Sequence, residues 1–172
     1  MKYILIFVLF SAVIFGQQNA LKTVKYVDLK KYAGLWYEFA KIPNSFQDQC
    51  VKGTTAEYVL TTDGEIKVLN SCIDEDGKVD EADGLARIVD KKTNAKLEVS
   101  FFSILGWRPV WGDYWVIGLD ENYQWAIVGT PSRKYGWILS RTPKLDQITT
   151  DKIFGILKDQ GYDPAKFEIS KH

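Results

Sequence analysis

Two cysteines, Cys50 and Cys72, and one histidine, His172, carry most of the nucleophile, base and metal-ligand chemistry open to this chain. His172 is the last residue, so no Ser–His or Cys–His pair is expected inside the fold. The acidic run DEDGKVDEAD, residues 74–83, resembles a calcium loop in composition but lacks the ligand spacing, and reads as a solvated turn. There is no glycine-rich phosphate loop. The chain therefore does not read as an enzyme, and no metal or cofactor is expected. What remains is binding chemistry: a few polar side chains at positions that alternate with apolar ones.

Charge narrows the class further. Lysine plus arginine number 22, and aspartate plus glutamate 22. No basic stripe suggests nucleic acid and no acidic tract suggests disorder. Aromatic residues make up 14% of the chain and are spread along it, which favours a β-rich fold with wide side chains facing an interior. The length of 172 residues suits one domain with a sizeable core.

Residues 1–16, MKYILIFVLFSAVIFG, have a positive start at Lys2 and an apolar run too short to span a bilayer. They read as a signal peptide, with cleavage after Gly16 or Ala20, leaving a single domain over 21–172. The mature protein is expected to be exported and soluble. In an oxidising compartment Cys50 and Cys72 read as one disulfide, with a reactive thiol or a metal pair as the alternative.

The elements that must position these groups are short and regular. TTAEYVL (54–60) and EIKVLNSC (65–72) alternate across the turn TTDG. LARIVD (85–90), AKLEVSFF (95–102), YWVIGLD (114–120), YQWAIVGT (123–130) and YGWILSRT (135–142) follow. With the opening stretch KKYAGLWYEFAKIP, residues 30–43, the set predicts eight strands in an all-β, up-and-down antiparallel barrel. Residues 149–164 put Ile153, Phe154, Ile156 and Leu157 on one helical face. Thr149 or Thr150 is the expected cap and Gly161 the stop. That helix should pack outside the barrel, and KFEIS (166–170) reads as a short last strand. A brief helical piece before the first strand has Asp28 as its cap.

Alternation assigns faces. Trp36, Glu38, Ala40 and Ile42 fall on one side of the first strand, and Tyr58 faces in from the second. Val68 and Asn70 face in from the third, Val99 and Phe101 from the fifth, and Trp137 and Arg141 from the last. Closure sets the last strand beside the first, so the Arg141 guanidinium is expected over the Trp36 indole at one end. Trp137, four residues earlier on that strand, lies roughly 13 Å away toward the other end. Glu38 and Tyr58 are expected to bond each other or a ligand headgroup. The loop SILGWRPVWGD (103–113) carries Trp107 and Trp111.

Three marks now stand in order: Gly34-x-Trp36, Asp120-x-x-Tyr123 in the turn GLDENY, and Arg141 on the last strand. With the strand pattern they resemble the lipocalin family over roughly residues 27–170, in the branch of bacterial outer-membrane lipocalins and apolipoprotein D. Leu119 stands where that family usually has threonine. The resemblance implies a calyx sealed at the Trp36/Arg141 end and open at the other. Through its mouth enters a small hydrophobic ligand: a fatty acid, a lysophospholipid or a similar lipid. It implies storage, transport or repair of envelope lipid by a monomer that touches the membrane at most peripherally, in the periplasm or as a secreted protein. The bacterial relatives are commonly lipid-anchored through a signal-region cysteine, which residues 1–20 lack, so no lipid anchor is expected here. Gly34, Trp36, Asp120, Tyr123 and Arg141 are structural in this reading. Asn70 and Trp137 match pocket positions, joined by Tyr114 at the mouth end of its strand and by Tyr58, Ala40, Val68, Val99, Phe101 and Glu38. Some lipocalins catalyse isomerisation with a cavity thiol, so an enzyme using Cys72 as nucleophile is one alternative. An interaction module using the Trp107/Trp111 loop is the other.

Overall fold

The computed structural model describes residues 20–172; the signal-peptide reading of residues 1–16 lies outside the described residues, as does the first of the two cleavage points. A four-residue helix, α1 (Leu29–Tyr32), opens the fold. Asp28 caps it by accepting from the Lys30 and Lys31 amides, the position its short carboxylate favours. The strands are β1 (Gly34–Lys41), β2 (Lys52–Leu60), β3 (Ile66–Ile73), β4 (Val79–Ile88), β5 (Lys96–Ser100), β6 (Gly112–Leu119), β7 (Trp125–Gly129) and β8 (Gly136–Ser140). Each pairs antiparallel with the next, and β8 returns to β1, which also pairs with β2. The ring is an eight-stranded closed barrel, with no unpaired edge among these strands.

Helix α2 (Gln147–Asp159) follows, and the two-residue β9 (Glu168–Ile169) lies against the outer end of β1. α2 starts earlier than the sequence suggested. Asp146 is the cap, its carboxylate accepting from the Thr149 amide and hydroxyl. An aspartate three residues before a threonine outcompetes the threonine itself, because a charged acceptor bonds an amide more strongly. Gly161 ends the helix region as expected, at φ +78°.

Two apolar layers result. The inner one fills the closed half of the barrel around Trp36, Val116, Ala126 and Val128. The outer one holds α2 to the barrel wall: Ile153 and Leu157, both fully buried, pack on Ile117, Trp125, Ile127 and Ile138. Gly129 and Gly136 leave the wall flat enough for Tyr162 and Phe167, since a methyl on Gly129 would lie 2.5 Å from the Tyr162 hydroxyl oxygen.

One expectation fails here. Ala40 belongs to the outer layer, beneath α2, and does not line the interior. The register of β1 against β8 slips between Glu38 and Ala40. Such a bulge inserts one residue and reverses the alternation beyond it. Phe39, Ala40 and Ile42 therefore face the helix layer, while Trp36 and Glu38 keep their inward side.

Candidate ligand cavity

The closed end is built around Trp36, which is fully buried. The Arg141 guanidinium carbon lies 3.7 Å from the centre of its ring. The same guanidinium donates to the carbonyls of Leu35 (2.6 Å), Lys31 (2.8 Å), Ala33 (3.0 Å), Tyr32 (3.1 Å) and Tyr123 (3.3 Å). A fork of five N–H donors suits several carbonyls at once in a way that lysine does not. Gly34 sits at φ +92°, where a side chain would be strained, and lets the chain pass within reach of the Arg141 fork.

The turn after β6 completes the seal. The Asp120 carboxylate accepts from the Asn122 and Gln124 amides, and the Tyr123 hydroxyl accepts from the Asp28 amide at 2.8 Å. The Trp36 indole N–H donates to the Tyr32 carbonyl at 2.7 Å. Gly34, Trp36, Asp120, Tyr123 and Arg141 thus meet in one cluster that ties the turn and the last strand to the segment entering β1.

Toward the other end the barrel encloses a cavity of about 500 Å³. This lies in the range of sites that take small molecules. Tyr58, Val68, Asn70, Val99, Phe101, Trp137 and Glu38 all line it, as inferred from alternation. Tyr114 lines it too, but not as a mouth residue. Its hydroxyl lies 2.7 Å from that of Tyr32 and 2.9 Å from that of Tyr58, between the large cavity and a smaller space of about 20 Å³ below. Burial raises the pKa of all three phenols, Tyr58 to about 12.

The expected link between Tyr58 and Glu38 is absent, because Tyr58 bonds Tyr114 instead. Glu38, only 3% exposed, accepts from Gln47 Nε2 and Ser170 Oγ, each at 2.7 Å, and lies 3.5 Å from Lys41 Nζ. Burying a carboxylate is costly unless hydrogen bonds and a nearby cation accompany it.

Gln47 was not legible beforehand. It sits in a single 3-10 turn, Ser45–Gln47, between β1 and β2, and its side-chain oxygen accepts from the Trp137 indole at 3.0 Å. Beside it Phe46, Tyr135 and Trp137 form an aromatic row, with ring centres 5.1 and 6.3 Å apart. Asp80 also lines the mouth and accepts from Gln49 Nε2 at 2.8 Å. Among the described residues, no lysine, arginine or histidine lines the cavity.

Cys50 and Cys72 are joined, with Cα atoms 5.5 Å apart. The bridge ties the segment between β1 and β2 to β3 at the cavity wall. The sulfur that a Cys72 nucleophile requires as a thiolate is thereby engaged, and the same holds for a metal site at Cys50, Cys72 and Asp80. The long loop after β5 divides its tryptophans. Trp107 is 68% exposed, whereas Trp111 lines the cavity, with Arg87 stacked 4.1 Å from its ring centre.

A closed eight-stranded calyx with one sealed end, one open cavity and an external helix defines the architecture of a small-ligand carrier. The chain belongs to the lipocalins: the lipocalin-like domain model matches residues 27–172. It is 39% identical over 153 residues to temperature-induced lipocalin-1 of Arabidopsis thaliana, covering 87% of this chain and 82% of the relative. It is also 39% identical over 150 residues to the outer membrane lipoprotein Blc of Vibrio cholerae, covering 86% and 84%. Apolipoprotein D of Macaca fascicularis is 37% identical over 150 residues, covering 83% and 76%. Among solved structures, insecticyanin from the tobacco hornworm Manduca sexta superposes with a TM-score of 0.74 at 28% identity, covering 91% of this chain and 87% of that one.

Proposed function

We propose that this lipocalin is an exported carrier that holds a lipid, such as a fatty acid, a lysophospholipid or a related amphiphile, in the barrel and leaves its polar end near the mouth. The observation that carries the reading is the cavity of about 500 Å³, walled by Val68, Val99, Phe101 and Leu139 and open at one end only. Binding by desolvation suffices. Each methylene removed from water contributes about 0.8 kcal/mol, so a long acyl chain supplies roughly 10 kcal/mol gross, against which ordering and lost translation count heavily. Micromolar or tighter affinity follows. The similarity to outer membrane lipoproteins and to apolipoprotein D supports carriage in envelope lipid storage, transport or repair. Isolating the protein from its native compartment and identifying co-purified lipid by mass spectrometry tests this. A protein that carries no lipid, and into which a fluorescent acyl probe does not titrate, refutes it.

A second reading adds a peripheral membrane contact. Phe102, Ile104, Leu105, Trp107 and Val110 stand exposed on the loop between β5 and β6, beside the mouth. Aromatic and aliphatic side chains on a loop favour the headgroup boundary. Co-sedimentation with phospholipid vesicles should weaken several-fold in Leu105→Glu/Trp107→Glu. Equal sedimentation of both proteins would dismiss the contact.

A further inference from the structure

The three phenols beneath the cavity pose a counting problem. Tyr32, Tyr58 and Tyr114 are all buried, and their hydroxyls form a chain with Tyr114 at the centre. Each hydroxyl has one proton to donate. Two contacts consume two protons, whichever way each bond points. If Tyr32 and Tyr58 both donate to Tyr114, the Tyr114 proton is left over. If Tyr114 donates to either neighbour, the proton of that neighbour is left over. No carbonyl, carboxylate or other protein acceptor among the described residues bonds any of the three hydroxyl groups. Phenols are protonated at neutral pH, and burial raises the pKa of these three further. One O–H donor is therefore always left without a protein acceptor, free for an acceptor that enters from outside.

Tyr58 and Tyr114 both line the large cavity, so the unspent proton can be turned into it. We propose that the cavity selects amphiphiles whose first-buried end is uncharged and carries an acceptor oxygen, such as a ketone carbonyl, an ether or a hydroxyl. The inference rests on the carrier reading above and narrows its ligand class. A saturated chain end leaves the proton unmet. A carboxylate at the same depth would find a single donor and no cationic side chain in the lining, while Glu38 and Asp80 stand nearer the mouth.

The test uses the full chain and displacement of the neutral probe N-phenyl-1-naphthylamine. Competitors are 1-monoacylglycerols bearing a keto group at successive chain positions, each against its unsubstituted parent. The quantity read is the ratio of the two dissociation constants in the wild type divided by that ratio in Tyr32→Phe/Tyr58→Phe/Tyr114→Phe. This cancels the lower hydrophobicity of the ketone itself. For a keto group that reaches the floor, the wild type should favour the ketone by about three- to tenfold more than the triple variant. Tyr32→Phe alone leaves two phenols, one bond and still one unspent proton, so the preference should persist. Phenylalanine retains every ring, and a melting curve confirms that the variants fold. Parent and ketone binding with an unchanged ratio at every chain position overturns the proposal while leaving the carrier intact. Failure of every monoacylglycerol to displace the probe from the wild type, under conditions where the probe binds, counts against both.

Discussion

Replacing Arg141 with alanine should cost stability and spare binding, and the geometry sets how much. The side chain lies 3.7 Å over Trp36 and donates to five carbonyls spread over Lys31–Leu35 and Tyr123. The cation–π contact contributes about 1–2 kcal/mol in a partly desolvated site. Two of the five bonds lie near solvent, where the orphaned carbonyl rehydrates at little cost, and the Tyr32 carbonyl keeps the Trp36 indole. The Ala33 and Tyr123 carbonyls are left poorest, adding about 1–2 kcal/mol together. The expected loss is therefore about 3 kcal/mol, a fall in Tm of roughly 6–12 °C for a domain of this size. Trp137→Ala should behave in the opposite way. Roughly 60 Å² of ring facing a ligand, at about 25 cal/mol/Å², corresponds to some 1.5 kcal/mol, or about a tenfold weaker binding of a fluorescent acyl probe. Thermal unfolding, together with probe titration done well below the new Tm, separates the two. A folded Arg141→Ala protein that no longer binds, beside a Trp137→Ala protein that binds normally, would show that the sealed and open ends have been exchanged.

Other expectations are briefer. Opening the Cys50–Cys72 bridge, which closes a loop of 22 residues, should lower stability by about 3 kcal/mol; an unchanged melting curve in reductant with two titratable thiols would contradict it. Gly129→Ala drives a methyl against the Tyr162 hydroxyl, which shares its one proton between the Tyr135 and Thr130 carbonyls and accepts from the Thr130 amide. It should cost about 1–3 kcal/mol by urea unfolding, and a neutral result would mean that the C-terminal segment is not docked there. The Thr149 amide, followed by its hydroxyl, holds the Asp146 carboxyl below its ordinary range. A depressed folded value gives stability that is present at neutral pH and lost as pH falls from about 4 through that value. Asp146→Ala should therefore lower the Tm at pH 7 more than at pH 2.5, and equal losses at both would sink the assignment.

How far the sequence could be read depended on whether a residue acts through its own strand. Trp36, Asn70, Val99 and Trp137 were legible because strict alternation fixes the face of a regular strand. Ala40 was not, because nothing in WYEFAK announces the extra residue, which is set by how β1 meets β8 and β9. Gln47 and Tyr32 escaped for another reason. Each lies in a single short helical turn outside the strands, which acquires its place only when the barrel closes around it. The arm at residues 21–27 was missed likewise: Val24 and Val27 donate to the Val116 and Thr93 carbonyls across long stretches of chain that no local pattern encodes. The Trp36–Arg141 contact was foreseen because barrel closure forces the last strand against the first, a topological fact rather than a local one.

That closure also sets an order of events. β1 is made early, but one of its two neighbours in the ring is β8, and the Arg141 fork must reach back more than 100 residues to the carbonyls of Lys31–Leu35. Until Arg141 has left the ribosome, β1 keeps an unpaired edge and Trp36 lacks its cover. Contacts so distant in sequence form slowly, on the scale of milliseconds to seconds. The growing chain thus carries an open strand, able to pair with any other such strand, throughout its synthesis. A chain cut short anywhere before residue 141 would never be rid of it, so truncated products should aggregate while the complete chain remains dispersed.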